Sequence, residues 1–346
     1  MIFQTDGNPR SGFARRAASA GRALLLTAGA AALALSTSLA LGAETAADYP
    51  SKVIKIVSPF SAGGTNDFLT RSIARSMEAA FKKGVIVENR TGANGMIGAD
   101  YVAKNAGDRY ILLMGNGATH GTNSTLYPKI AYDAVKDFTP VGMVAKVPIV
   151  LIVSADLPIK SVQDLLAYAK KNPGTLSFGS SGLGGTGHMA GEKFKQVTGI
   201  DILHAPYRGD APAVTDVLGG QIPMAFISAT SVVPFVNSGK MRVLAVADDK
   251  RAPMLPNVPT LAEQGVNDGA FFTWYAIIAP ANVPADIVKK LNETINNALD
   301  SQALKDSFAT QGAEPVKSTP AELSAFIDGE LKRSRTLIQE LGIKVE

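Results

Sequence analysis

"LSFGSSGLGGTGHMA", residues 176–190, joins a short strand pattern to a glycine-rich loop and the start of an amphipathic helix. Within it, Gly182 to Gly187 match Gly-x-Gly-x-x-Gly, the pattern that cradles the pyrophosphate of NAD or FAD. Such a loop binds anions without a basic side chain, because backbone N–H groups and the positive end of the helix dipole face it. The stretch therefore predicts an anion site at the carboxyl end of a strand in an α/β fold.

A similar unit occurs earlier in the chain. "VIKIVSPFSAGGTN", residues 53–66, places Gly63-Gly64-Thr65 between a strand and a helix, 121 residues before Gly184-Gly185-Thr186. The segments "ENRTG" (88–92) and "APYRG" (205–209) each end the second strand of their unit. Strand patterns alternate with helical periods throughout, which predicts parallel α/β sheets in two lobes of similar topology whose glycine loops face one cleft. Chance similarity between glycine-rich loops is the alternative.

Two long apolar runs, "VPIVLIVS" (147–154) and "FFTWYAIIAP" (271–280), flank the second unit. If both cross between the lobes, they form a two-strand hinge and the C-terminal helices return to lobe one. Helix starts are predicted at Ser161 with Asp164, at Pro284, and at Thr319 with Glu322. The predicted organisation is a signal peptide at 1–43, lobe one at 44–147 and 276–346, and lobe two at 148–275.

The N-terminal 43 residues explain most of the positive charge. The net charge is +4, but this segment holds four arginines against Asp6, and the remainder carries 30 basic and 29 acidic residues. That balance argues against a nucleic-acid partner. The arginines precede an apolar, small-residue run with cleavage sites after Ala40 or Ala43, which indicates a secretory signal peptide, with a membrane anchor as the alternative. A location outside the cytoplasm is therefore expected.

Several enzyme classes are disfavoured by the residues around the loops. A dinucleotide fold needs an acid at the end of the strand after its glycine loop, but Asp201 begins that strand, which ends in Ala205 to Arg208. Neither glycine loop continues as Gly-Lys-Ser/Thr, and no Gly-x-Ser-x-Gly is present at Ser180 or Ser181. Three dispersed histidines and no cysteine give no recognisable zinc site. An exported NAD-dependent oxidoreductase using Gly182–Gly187 remains the alternative function.

Five longer motifs extend over nearly the whole chain after the signal segment: "YPSKVIKIVSPFSAGGTND" (49–67), "VIVENRTGANGMIGADYVAK" (85–104), "SFGSSGLGGTGHMAGEKF" (177–194), "APYRGDAPAVTDVLGGQIPMAF" (205–226) and "LPNVPTLAEQG" (255–265). Together they resemble the extracytoplasmic solute receptors of tripartite tricarboxylate transporters, also called Bug proteins. The resemblance implies a type II periplasmic binding protein fold with a two-strand hinge. It further implies a monomeric periplasmic receptor that closes around a small carboxylate and delivers it to a membrane permease. It also implies that the protein is not an enzyme and uses no metal or cofactor. A sensory module is a further alternative.

The resemblance also implies which residues bind the ligand. They lie in the two glycine loops and at the ends of neighbouring strands: Phe60, Ala62, Gly63, Gly64, Asn66, Asn116, Thr119, Ser181, Gly182, Thr186, Gly187, His188, Tyr207, Ser228 and Ala229. Asp67 either caps its loop or meets the ligand. Asp210 departs from the family pattern, in which glycine is common, and its charge would disfavour a second ligand carboxylate or select an amino group. Arg208 could neutralise that charge. Whether the acid is aromatic or aliphatic stays open.

Overall fold

The computed structural model describes residues 45–267 and 270–344. The chain divides into two compact units, Met1–Asp48 and Tyr49–Glu346, and everything below concerns the second. The predicted signal peptide lies outside the described residues. Within the described ranges, no helix is long and apolar enough to cross a membrane.

The first sheet begins with three parallel strands. The first strand lies in the middle and pairs in parallel with the second and the third, and a helix connects each pair of consecutive strands. The second strand is "VIVEN" (85–89), which ends in the "ENRTG" segment as predicted. The elements are β1 (Ile54–Ser58), α1 (Thr65–Phe81), β2 (Val85–Asn89), α2 (Met96–Ala103), β3 (Ile111–Asn116) and α3 (Asn123–Leu126).

One long strand then passes from the first sheet to the second. "VGMVA" (141–145) and "VPIVLIVS" (147–154) are separate apolar runs in the sequence, but they form a single strand of 17 residues. The stretch 138–148 pairs with the late strand that returns to the first sheet, and Ile149 to Val153 pair with a strand of the second. This strand and the helix that follows it are β4 (Phe138–Ser154) and α4 (Val162–Lys171).

The second sheet repeats the arrangement of the first. Its central strand again pairs in parallel with two neighbours, so both glycine loops leave the carboxyl end of a central strand. The elements are β5 (Leu176–Ser180), α5 (Thr186–Thr198), β6 (Ile202–Pro206), α6 (Asp210–Leu218), β7 (Met224–Ser228), α7 (Ala229–Val232) and β8 (Met241–Val246).

The chain returns to the first sheet through a strand between β3 and β4, antiparallel to both. The strand order is therefore β2-β1-β3-β9-β4-β7-β5-β6. We call the β1, β2, β3, β9 side lobe one and the β5, β6, β7, β8 side lobe two. The predicted lobe boundaries, 44–147 with 276–346 and 148–275, stay predictions. The remaining elements are β9 (Phe272–Pro280), α8 (Ala285–Asp300), α9 (Gln302–Gln311), β10 (Glu314–Pro315) and α10 (Pro320–Leu341).

The predicted helix starts are found where expected. The Ser161 hydroxyl accepts from the Asp164 N–H at 3.0 Å, and Thr319 with Glu322 forms a reciprocal capping box at α10. Pro284 precedes α8, whose apolar stripe of Ile287, Leu291, Ile295 and Leu299 is at most 1% exposed. Each lobe buries an apolar core of its own, which holds the two glycine loops in fixed positions.

Candidate functional site

The two glycine loops bring two helix N-termini to one place. Helix α1 begins after Gly64 and α5 begins after Gly185, and neither glycine has a side chain that could cap the helix. The first N–H groups of a helix have no acceptor within it, so these groups are directed toward the space between the loops. Two partly positive helix ends therefore face each other across the lobes.

Two connected cavities lie at this point. The inner cavity has a volume of about 20 Å³ and is bounded by both helix ends, β9 and the start of α6. The outer cavity, of about 180 Å³, leads to the loops after β5 and β6. Phe60 and Ser181 line both cavities. The inner cavity as closed here has room for about one water molecule, so a ligand head group between the helix ends requires the lobes to move apart.

Most of the predicted site residues surround these cavities. Lobe one contributes Phe60, Gly64, Asn66 and Asn116 to the inner cavity. Lobe two contributes Ser181, Thr186, Gly187 and Ser228 to it. Gly182 and Tyr207 line the outer cavity only.

Two asparagines of lobe one differ in the hydrogen-bonding groups that they leave available to a ligand. The side chain of Asn66 accepts from the Ser58 hydroxyl and donates to the Met114 carbonyl, so it anchors α1 and leaves only its backbone N–H for a ligand. Asn116 Oδ1 accepts from the N–H groups of Ala118 and Thr119, both at 3.1 Å. Its amide NH₂ is therefore the group available to the cavity.

The other predicted residues line neither cavity. Ala62 and Gly63 are exposed outside both cavities, Thr119 is buried behind Asn116, and Ala229 is the buried first residue of α7. The Thr119 hydroxyl hydrogen-bonds the Asn116 N–H at 3.0 Å. Asp67 accepts from the Gly63 N–H and the Asn89 amide, as a loop cap does.

Direct contacts between the lobes close the cleft. Ser61 donates its N–H and its hydroxyl to the Arg208 carbonyl, at 3.1 and 2.6 Å. The Thr122 hydroxyl donates to the Gly184 carbonyl at 2.6 Å, and the Tyr127 hydroxyl to Leu183 at 3.4 Å. The structure is thus a closed form in which lobe one hydrogen-bonds the second glycine loop directly.

Two glycines permit this close approach. A Cβ at Gly182 would lie 2.6 Å from Asn94 Oδ1, and one at Gly184 would collide with Leu126. Both also have positive φ angles, of 152° and 82°, which other residues rarely adopt. The place where a pyrophosphate would lie in a dinucleotide fold is filled here by lobe one.

A histidine pair supports the second loop from below. His188 Nδ1 accepts from the Gly184 N–H at 3.0 Å, and its ring stacks on His204 with centroids 3.9 Å apart. His204 Nε2 in turn lies 2.7 Å from the Ser180 hydroxyl. Burial, and the positive charge of Lys195, lower the pKa of His188 to about 4. His188 is thus placed beneath the loop and outside both cavities.

We predict that acid weakens this support. Because the pKa of His188 is about 4 in the folded protein and 6.5 in the unfolded chain, the unfolded chain takes up the proton first. Stability is therefore full above pH 6.5 and falls between pH 6.5 and 4, by about 3 kcal/mol from this residue alone. Thermal unfolding measured across this range should show a shallower decline for His188→Asn, which keeps an acceptor for Gly184. An identical pH dependence in the variant would contradict the assignment.

Four polar side chains lining the inner cavity were not among the predicted ligand contacts: Thr65, Asp210, Thr273 and Tyr275. Thr65 directly follows the first glycine pair, and Asp210 follows "APYRG" at the start of a third helix, so position relative to the loops is a signal for both. Thr273 and Tyr275 come from β9, and no local pattern places them there. Trp274 between them belongs to the core, and its indole N–H donates a hydrogen bond to the Glu330 carboxylate.

The charge of the inner cavity is unusual for an anion site. Among the residues that the structure describes, no Lys, Arg or His lines it, and Asp210 is its one carboxylate. Tyr275 is 3% exposed, and burial with the nearby Asp210 charge raises its pKa, so its hydroxyl stays neutral. An anion here must be held by helix N–H groups and hydroxyls.

Comparison with known proteins identifies similar sequences. The family described as "Tripartite tricarboxylate transporter family receptor" matches residues 69–343. Protein BugT of Bordetella pertussis is 37% identical over 308 residues, which are 88% of this chain and 94% of BugT.

Solved structures are similar as well. The R. palustris protein Rpa4515, solved with adipate, is 36% identical with a TM-score of 0.84, over 86% of this chain and 99% of that one. The periplasmic binding protein BugD is 31% identical with a TM-score of 0.82, over 86% of this chain and all of that one. These likenesses confirm the predicted two-lobe α/β fold.

Proposed function

Because this chain belongs to the tripartite tricarboxylate transporter receptor family, also called the Bug family, we propose that it is a periplasmic receptor for a small organic carboxylate. In this proposal, the monomeric receptor delivers its ligand to the membrane permease of such a transporter. One observation supports it above the others: two helix N-termini, one from each lobe and each preceded by a glycine, face a single cavity.

The proposed mechanism is closure. In an open form, each lobe offers about half of the polar groups: N–H groups of α1 and the Asn116 amide from lobe one, Thr186, Gly187 and Ser181 from lobe two. A ligand that contacts both lobes stabilises the closed form by its greater affinity for that form. The interlobe contacts at Arg208 and Gly184 then add to the closed state without touching the ligand.

The alternative of an exported oxidoreductase has less support from the geometry. Asn94 and Leu126 approach Gly182 and Gly184 directly, and β6 ends at Pro206 without an acid for a ribose. Cofactor absorbance in the purified protein, or thermal stabilisation by NAD, would favour that alternative.

The direct test is isothermal titration of the mature protein with mono-, di- and tricarboxylates, amino acids and nicotinate. We expect saturable binding of at least one carboxylate with a stoichiometry of one. A folded protein that binds none of them would contradict the receptor proposal. Mass spectrometry of ligand released from natively purified protein identifies the natural compound independently.

We predict that Thr122→Val weakens ligand binding about five- to tenfold. Valine has nearly the shape of threonine but cannot donate to the Gly184 carbonyl, and a buried hydrogen bond contributes about 1 kcal/mol net. Titration calorimetry measures the affinity, and Thr122→Ser, which keeps the hydroxyl, should restore it. Equal affinity in the valine variant and the wild type would show that this interlobe contact does not stabilise the bound state.

A further inference from the structure

Asp210 is a buried acid whose position the carboxylate-binding proposal does not explain. It is the first residue of α6, after Gly209 with a φ of 132°, and it is 7% exposed. It lines the inner cavity together with both helix N-termini. An acid at this point adds negative charge where the ligand carboxylate is expected.

The contacts of Asp210 reach across the cleft to the start of α1. The Ser231 hydroxyl donates to Asp210 Oδ2 at 3.4 Å and accepts from the Thr65 N–H at 3.1 Å. Ser231 thus links the Asp210 carboxylate to the Thr65 N–H, and Thr65 and Ser228 lie near enough to favour the charged form of Asp210. A carboxylate of lobe two therefore lies at the N-terminus of a helix of lobe one, where a helix binds an anion.

The same contacts leave the second helix end available. Thr186 and Gly187 at the start of α5 line the inner cavity, and their N–H groups have no acceptor within the helix. Burial raises the pKa of Asp210 and so disfavours its ionised form, whereas the hydroxyl donors and the positive end of α1 favour that form. In that ionised form, and with no basic side chain among the described residues lining the cavity, a second ligand carboxylate close to Asp210 faces a like charge.

We propose that Asp210 acts as a built-in anion at the α1 terminus, so that the receptor selects monocarboxylates over dicarboxylates. This inference rests on the proposed function, since it assigns the ligand class of the same cleft. The ligand carboxylate binds at the α5 terminus, and the remainder of the ligand extends into the outer cavity. Asp210 is thus a specificity-determining residue that works by repelling the wrong ligand.

The test uses ligand pairs that differ by one terminal carboxylate: hexanoate and adipate, butyrate and succinate, benzoate and terephthalate. In titration calorimetry, the wild-type protein should bind the monocarboxylate at least tenfold more tightly in every pair that binds. Asp210→Ala removes the charge and frees space at α1, so it should shift the ratio at least tenfold toward the dicarboxylate. Asp210→Asn removes the charge alone and should give a smaller shift in the same direction.

Asp201→Asn is the matched control, because it makes the same charge change at an exposed position of lobe two and should leave the ratio unchanged. A wild-type protein that binds a dicarboxylate as tightly as its partner would overturn the proposal, as would an unchanged ratio in a folded Asp210→Ala variant. Loss of amino-acid binding alone in Asp210→Asn would also overturn it, because Asp210 would then hold an ammonium group. A wild-type protein that binds no carboxylate at all would instead contradict the receptor function.

Discussion

Replacing Gly187 with alanine should reduce ligand affinity more than 100-fold. A Cβ at this position would collide with the Phe226 carbonyl of β7, which is backbone and cannot move aside. The start of α5 would have to shift away from the sheet, and with it the N–H groups that hold the carboxylate. Hydrogen bonds to a charged group contribute about 1.5–3 kcal/mol each, so misplacing two of them is sufficient for the loss.

The same substitution should lower the free energy of unfolding by about 1–3 kcal/mol, as overpacking does, and leave the protein folded. Gly329→Ala is the matched control: it lies exposed in α10 with open space at its Cβ, and should raise stability by up to about 1 kcal/mol without affecting binding. Thermal unfolding and titration calorimetry separate the two effects. Affinity within fivefold of the wild type in Gly187→Ala would refute the role of the α5 terminus.

Thr186→Pro should reduce affinity about 100-fold while leaving stability nearly unchanged. Proline is tolerated at the first position of a helix, and Gly185 already has φ and ψ of −66° and 161°, a conformation that a residue before proline prefers. The substitution therefore deletes one N–H group and one hydroxyl from the inner cavity without breaking α5.

Thr186→Ala separates these two groups, because it removes the hydroxyl and keeps the N–H. We expect it to reduce affinity about fivefold, with the remainder of the proline effect assigned to the backbone donor. Circular dichroism and thermal unfolding establish that both variants fold. If proline and alanine were to weaken binding equally, the backbone N–H would have no part in holding the ligand.

The architecture was predictable because its signals are local. Each glycine loop lies between a strand and a helix in the sequence, and the repeat after 121 residues indicates two related lobes. The Gly-x-Gly-x-x-Gly match arises because both kinds of fold need glycine where other atoms approach the backbone closely. Gly187, its third glycine, lets a helix pack closely on a strand as it does in dinucleotide folds, whereas Gly182 and Gly184 admit the other lobe instead of a pyrophosphate.

The remainder of the site depends on long-range packing. Tyr275 and Thr273 reach the inner cavity only because β9 inserts between β3 and β4, which no spacing in the sequence reveals. His188 follows the glycine loop directly, yet its ring turns under the loop to hold Gly184. The sequence pattern does not reveal that "VGMVA" and "VPIVLIVS" form the single strand β4, because the two runs pair with different sheets.

The contacts that close the inner cavity set a lower limit on how long any ligand stays bound. About 20 Å³ is room for a water molecule or so, and the contacts of Ser61 and Thr122 close the space around it. No carboxylate can leave until those contacts separate, so the opening rate is an upper bound on the dissociation rate of every ligand. Each ligand then dissociates no faster than the lobes open around it, and a permease that receives the ligand must accelerate that opening.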